Sequence, residues 1–308
     1  MVKKIKYPSY LNLKRGEIDE RIEKAYELLS PCHICPQNCG ARRLEGEKGF
    51  CRSGGDILIS SYNVHFGEEP PLSGRFGSGT IFFTNCNLRC VYCQNYPISQ
   101  LGNGYKITTL KLAKIMLELQ KRKCHNINLV TPTHFMPQIL KSLKLAIELG
   151  LYIPIVYNTS GYELVRILKL LDGVVDIYLP DARYGNNKIA EKYSAAPNYF
   201  EVMKKALKEM QRQVGDLLIN EERIALSGLM VRHLVLPEGL SGTKKIMNFI
   251  AKDISPYTYI SLMAQYFPAY KAEQFPPLSR RISKEEYKEA FKAFREEGLE
   301  NGWFQEGI

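Results

Sequence analysis

Three cysteines stand in a C-x3-C-x2-C arrangement, Asn85-Cys86-Asn87-Leu88-Arg89-Cys90-Val91-Tyr92-Cys93. Thiolates bind metals and iron–sulfur clusters, and three of them are one fewer than a closed tetrahedral site or a fully ligated [4Fe-4S] cluster requires. A cluster held this way keeps one iron open to a small chelating molecule. A zinc site completed by a histidine, or three unligated thiols, would use the same residues differently. A second group lies upstream as Cys32-x2-Cys35-x3-Cys39-x11-Cys51, four thiols that suffice for one complete site. Zinc and an auxiliary iron–sulfur cluster both satisfy that count. The reading leans to an organising metal, although the wide second spacing departs from the paired C-x2-C of zinc knuckles. His33 reads as a bystander to this group, and Cys124, standing alone, as a buried thiol.

Eight cysteines need a setting that suits them. The opening segment MVKKIKYPSYLNLKRGEIDE has basic residues with no apolar stretch behind them, and no later segment has the roughly 18 apolar residues of a membrane span. A cytoplasmic protein is expected, in which thiols stay reduced and serve metals rather than disulfides. The 45% hydrophobic and 24% charged composition excludes a disordered or fibrous chain and predicts a real core. The net charge of +10 suits an acidic partner such as RNA, a nucleotide or an acidic protein. Apart from Lys121-Arg122-Lys123 and Arg280-Arg281 the basic residues are dispersed, which fits a solvated surface better than a nucleic-acid face.

The cysteine triplet follows the run TIFFT (80–84), and further short runs alternate with longer amphipathic ones. They are NINLV (126–130), IPIVY (153–157), VVDIYL (174–179), VRHLVL (231–236) and YISLMAQY (259–266), with helical patterns between, including one over about 197–213. Six strand–helix units in series predict a parallel sheet with helices outside it. Six are fewer than the eight of a closed barrel, so the expected fold is α/β, an open, partial (βα)6 TIM-type barrel. Its chemistry should gather at the C-terminal strand ends. Residues 1–70 are expected to form an N-terminal helix (18–29) and a Cys-rich metal-binding lobe. Residues 71–308 should form the barrel and a terminal helix in SKEEYKEAFKAFREEGLENG packed on its exterior.

The segment SGRFGSGTIFFTNCNLRCVYCQNYPIS resembles the radical S-adenosylmethionine (SAM) superfamily, with an aromatic residue, Tyr92, just before the third cysteine. HNINLVTPTHF, IPIVYNTSGYE, VDIYLPD, VRHLVLP and ISLMAQY extend the resemblance from Cys32 to about Glu306. They direct it to the PflX-like branch of pyruvate formate-lyase activating enzyme-like proteins. The resemblance implies a [4Fe-4S] cluster on Cys86, Cys90 and Cys93 with SAM on its open iron. It further implies reductive cleavage of SAM, hydrogen abstraction from a substrate such as a protein glycine, and an electron donor such as flavodoxin or ferredoxin.

It also implies roles at the strand ends. Tyr92 would lie near the adenine. The family's Gly-Gly-Glu-Pro is replaced by Thr131-Pro132-Thr133-His134, without the carboxylate, so Thr131, Thr133 and His134 are either SAM contacts or a Thr-capped turn. Asn158 and Ser160 in Asn158-Thr159-Ser160-Gly161 match positions used for ribose or carboxylate, or else cap a helix. Asp181 aligns with a family aspartate near SAM or substrate, and Arg183 stands where a lysine is usual. Arg232 would meet SAM's carboxylate or make an ordinary ion pair. Gln265 is a modest substrate-contact candidate, Met263 reads as core, and His65, Glu68 and Glu69 are candidates for the substrate. Two rival readings remain open here: a zinc-stabilised, non-catalytic nucleic-acid-binding protein, and a radical SAM enzyme that modifies RNA.

Overall fold

The computed structural model describes residues 7–14 and 16–305. The strands are β1 (Ile57–His65), β2 (Ser78–Phe83), β3 (Tyr105–Ile107), β4 (Ile127–Val130), β5 (Ile155–Thr159), β6 (Ile177–Pro180), β7 (Leu218–Ile219), β8 (Ala225–Leu234), β9 (Tyr259–Met263) and β10 (Gly302–Phe304). The helices are α1 (Glu17–Glu27), α2 (Pro70–Ser73), α3 (Tyr96–Ser99), α4 (Thr109–Lys121), α5 (Met136–Glu148), α6 (Val165–Leu168), α7 (Asn187–Ser194), α8 (Tyr199–Val214), α9 (Thr243–Asp253) and α10 (Lys284–Glu296). One sheet runs β10-β9-β8-β6-β5-β4-β2-β1-β3, with β7 beside β8. From β2 through β10 every neighbouring pair on this path is parallel. The six expected strands are β2, β4, β5, β6, β8 and β9, and the path ends at β3 and β10 without joining them.

One boundary differs from the sequence reading, and the helix expected over about 197–213 is present as α8. Residues 57–65 were expected in the lobe but form β1, antiparallel to β2 from Ile59↔Phe83 to His65↔Ser78. The hydrogen bonds of the sheet capture this stretch, so the Cys-rich segment is confined to the chain between α1 and β1, where the regular structure is a 3-10 turn at Arg43–Glu45. The stretch 197–213 forms α8 alone, because Asn198 takes a left-handed φ of 55° and breaks it from α7. The terminal helix α10 starts at a capping box in which Ser283 and Glu286 satisfy one another's backbone N–H groups. It packs on α9 and is followed by β10.

The period of two in a strand sorts the residues onto the sheet's faces. Ile81, Leu129, Ile155, Tyr157, Tyr178, Leu229, Val231, Ile260 and Leu262 belong to the main core with residues of α4, α5, α8 and α9. The alternate residues face inward. Near the N-terminal strand ends Val156, Ile177, Leu179, Ala225 and Met230 cluster around Leu72 of α2. Asn126 just before β4 donates from Nδ2 to the Leu72 carbonyl at 2.9 Å, fixing α2 at that end. Toward the other end the inward positions turn polar: Asn128, Asn158, Arg232 and Ser261. Among the described residues no helix is long and apolar enough to cross a membrane.

Leu72 is fully buried in that inner cluster. Leu72→Ala should destabilise the protein by about 2–5 kcal/mol with an unchanged urea m-value, because it leaves a cavity that the surrounding strands cannot collapse. A loss below about 1 kcal/mol in urea unfolding would show that α2 does not seal this face.

Candidate cluster site at the strand ends

The loop leaving β2 carries Cys86, Cys90 and Cys93. Asn85 turns it with a left-handed φ of 68°, its N–H bonded to the Ile98 carbonyl at 2.9 Å and its amide to Ser53 Oγ at 3.0 Å. Cys90 is buried, and Cys86 and Cys93 are partly exposed. Each sulfur has a polar neighbour: Ser194 Oγ donates to Cys90 Sγ at 3.0 Å, Ser99 Oγ lies 3.0 Å from Cys93 Sγ, and Leu88 N–H reaches Cys86 Sγ at 3.4 Å. Arg183 Nη1 approaches Cys90 Sγ at 3.7 Å. Burial, reinforced by Cys90, pushes the Cys86 thiol up to about 12 and raises Cys93 as well. Free thiols here hold their protons, and a bound metal would displace them.

These residues fit a [4Fe-4S] group. Three sulfurs face donors of the kind that tune cluster potential, and a guanidinium stands by to balance the negative charge of the thiolates. Among the described residues no group of three or more His, Cys, Asp or Glu side chains is arranged to hold a single metal ion.

Beside the loop opens a cleft of about 140 Å³, lined in part by Tyr92, Cys93, Asp181, Arg183, Arg232 and Gln265. Asp181 is its electrostatic centre. Arg232 Nε donates to Asp181 Oδ1 at 2.8 Å, and Arg183 Nη2 to Asp181 Oδ2 at 2.5 Å. Burial would raise the Asp181 carboxyl, but the two guanidinium groups hold it below the usual carboxylate range. Arg232 Nη2 also donates to Asn158 Oδ1 at 2.7 Å, and Nη1 lies 3.7 Å from Glu68 Oε2. Burial pushes Glu68 up to about 7 against the pull of Arg232.

Several buried atoms in this region have no hydrogen-bond partner: Asn158 Nδ2, Ser261 Oγ, Arg183 Nε, Glu69 Oε2 and both amide atoms of Asn128. Asn128 lies beside Glu68, but neither of its amide atoms completes a bond there. An unpartnered buried polar group costs about 1–3 kcal/mol, so a concentration of them on one inner face points to ligand or solvent.

The structure thus draws together Asn158, Asp181, Arg232, Glu68 and Arg183, with Tyr92 on the cleft wall. Tyr92 OH lies 2.6 Å from Tyr184 OH, and its ring meets Tyr184 and Tyr266 edge-on. Ser160 Oγ is 3.4 Å from Asn87 Oδ1, next to Cys86. Gly161, at φ 73°, lets this loop approach β6, since an added Cβ would sit 2.4 Å from the Asp181 carbonyl. Thr131 ends β4 with a left-handed φ of 60° and stays partly exposed.

Thr133 and His134 are directed elsewhere. Thr133 Oγ1 donates to Glu163 Oε1 at 2.5 Å, Thr159 donates to the same atom, and His134 Nε2 lies 2.8 Å from the Thr84 carbonyl. Burial lowers His134 to about 3, so it supports the cysteine loop as a neutral ring. Sequence reasoning missed Ser99, Ser194, Asn128 and Glu163. For Ser194 no local signal exists, since its partner Cys90 is 104 residues away in the chain.

The sequence pattern of the Radical SAM superfamily matches residues 80–220, the span that carries the triplet and Asp181 but not Arg232 of β8. The likeness to the radical SAM superfamily thus covers just under half of the chain. The chain is 35% identical over 290 residues to the uncharacterized protein MJ0674 of Methanocaldococcus jannaschii, covering 91% of this chain and 79% of that protein. A second protein of that organism, the uncharacterized MJ0808, is 35% identical over 82 residues, 22% of this chain and 24% of it. Among solved structures, native anSMEcpe with bound AdoMet overlaps 71% of this chain and 61% of its own at TM-score 0.46 and 11% identity. HydG, a maturase of the [FeFe]-hydrogenase, overlaps 71% and 48% at TM-score 0.48 and 14% identity. The chain therefore spans less than two thirds of either solved structure.

Burial pushes Glu163 up to about 7 from an ordinary 4.5, against the bonds from Thr133 and Thr159. The folded chain therefore holds this proton more tightly than the unfolded chain does. Its contribution to stability is complete below about pH 4.5 and is lost as pH rises to about 7. Glu163→Gln keeps an acceptor for both hydroxyls but removes the ionisation. The melting temperature of this variant should fall less than that of wild type between about pH 5 and pH 8, and parallel melting curves would refute the assignment.

Proposed function

We propose that Cys86, Cys90 and Cys93 hold the superfamily's [4Fe-4S] cluster, and that the chain is an activating-enzyme-like oxidoreductase that removes hydrogen from a substrate in the adjoining cleft. The observation that carries this reading is Arg183, which joins Cys90 on one side to Asp181 on the other. A three-thiol site and a charged ligand cleft thereby become one continuous site. When bound, the cluster would supply the electron that breaks a C–S bond of SAM, giving methionine and a 5′-deoxyadenosyl radical.

The chain's own residues bind and orient. Asp181 and Asn158 hold Arg232 by two of its nitrogens, and the third, Nη1, faces only the longer 3.7 Å contact with Glu68, which a carboxylate such as SAM's could replace. Tyr92 forms the aromatic wall expected beside an adenine. Asp181 keeps both arginines from burying unpaired charge. In this reading the parallel strands act as a partial (βα)6 barrel, the substrate is a protein glycine as in the PflX-like branch, and the reductant is a cytoplasmic flavodoxin or ferredoxin.

Anaerobic reconstitution with iron and sulfide, then dithionite and SAM, should yield 5′-deoxyadenosine from wild type and none from Cys90→Ala. Arg232→Gln should retain the cluster's absorbance but need about tenfold more SAM for half-maximal cleavage, corresponding to about 1.4 kcal/mol of binding. Equal product from wild type and Cys90→Ala would remove the triplet from the chemistry, and an unchanged SAM requirement would remove Arg232 from SAM binding.

A further inference from the structure

The segment between α1 and β1 holds its place with almost no regular structure, and its four cysteines converge. The Cys39 thiol lies beside that of Cys32, and Cys35 lies close enough to Cys32 and Cys51 for their charges to interact. Gly49 sits against the remaining pair: an added Cβ would lie 3.1 Å from Cys39 Sγ and 3.6 Å from Cys51 Sγ. A side chain at this position would intrude on the sulfurs.

Two further observations call for negative charge here. The backbone N–H groups of Ile34, Gln37 and Ala41 lie toward the sulfurs of Cys32, Cys35 and Cys39, the same two-residue offset each time, and Phe50 N–H lies toward Cys39 as well. Burial raises the Cys32 and Cys35 thiols, and these N–H groups oppose it in the direction a bound cation would need. Arg43 is 1% exposed, and its partners are the Gly54 carbonyl at 2.8 Å, the His134 carbonyl at 2.8 Å and Cys32 Sγ at 3.8 Å. None of these is a carboxylate. A buried guanidinium whose charge no carboxylate balances is costly, and an anionic metal–thiolate group beside Cys32 would balance it.

We propose that Cys32, Cys35, Cys39 and Cys51 ligate a second, fully coordinated iron–sulfur cluster that anchors this segment to the barrel mouth. Four ligands leave no iron open, so this cluster would not bind SAM. A single zinc ion would use the same four thiols, so the metal content of the triple variant below decides between the two. The segment is tied directly to the first cysteine loop. Arg89, between Cys86 and Cys90, donates to the Phe50 carbonyl, lies 5.1 Å above the Phe50 ring and bonds the Cys86 carbonyl at 3.3 Å. Gln37 reaches the Asn87 carbonyl at 2.9 Å.

The test separates this proposal from the SAM site. Anaerobically purified wild type should carry about eight iron and eight sulfide per chain, and the Cys86→Ala/Cys90→Ala/Cys93→Ala triple variant about four of each. That variant leaves every residue of the segment intact. Its dithionite-reduced EPR signal should be unchanged by SAM. Cys35→Ser/Cys51→Ser in the wild-type background should also fall to about four iron, with a signal that SAM perturbs. One zinc per chain in the triple variant, or no metal at all, would overturn the proposal whatever the fate of the first cluster.

Discussion

A carboxylate gripped by two arginines governs this molecule. Asp181, Arg183 and Arg232 are all largely removed from water, and none would be tolerable there alone. Their mutual pairing fixes the ends of β6 and β8, and the Asp181↔Arg232 bridge continues the sheet's ladder to that level. Arg183 then passes the constraint to Cys90 and Arg232 passes it to Asn158 and Glu68. The cysteine loop, β5 and the segment before β2 are thus registered against one charge centre.

The strands that hold this centre are sorted by alternation alone. Tyr157 and Tyr178 face the helices, while Asn158 one residue on faces inward. The same sheet therefore supplies a greasy exterior for α4, α5, α8 and α9 and a polar interior for chemistry, without a dedicated binding domain.

Much of this was legible in the residues. The cysteine spacing, the six apolar runs and the polar residues at their ends are local patterns, and each fell on the element expected of it. Thr133 and His134 occupy the loop assigned to them, but their bonds go to Glu163 and Thr84, because a buried carboxylate from the next strand–loop unit competes for the hydroxyl. Ile57–His65 looked like part of the lobe because its pairing partner lies across a turn that composition does not reveal. The hydroxyl of Ser194 at Cys90 and the orphaned amide of Asn128 depend on the packing of distant segments, while Ser99 reaches Cys93 from six residues on through the turn of α3. Nothing in a single sequence marks the first two.

The short helix α2 has a consequence of its own. By wedging Leu72 among Val156, Ile177 and Met230, it stops the inner face at the N-terminal strand ends, with Glu68 just above the stopper. The inner face is thus plugged by apolar packing at one end, while the cleft lined by Cys93, Arg183 and Arg232 opens at the other.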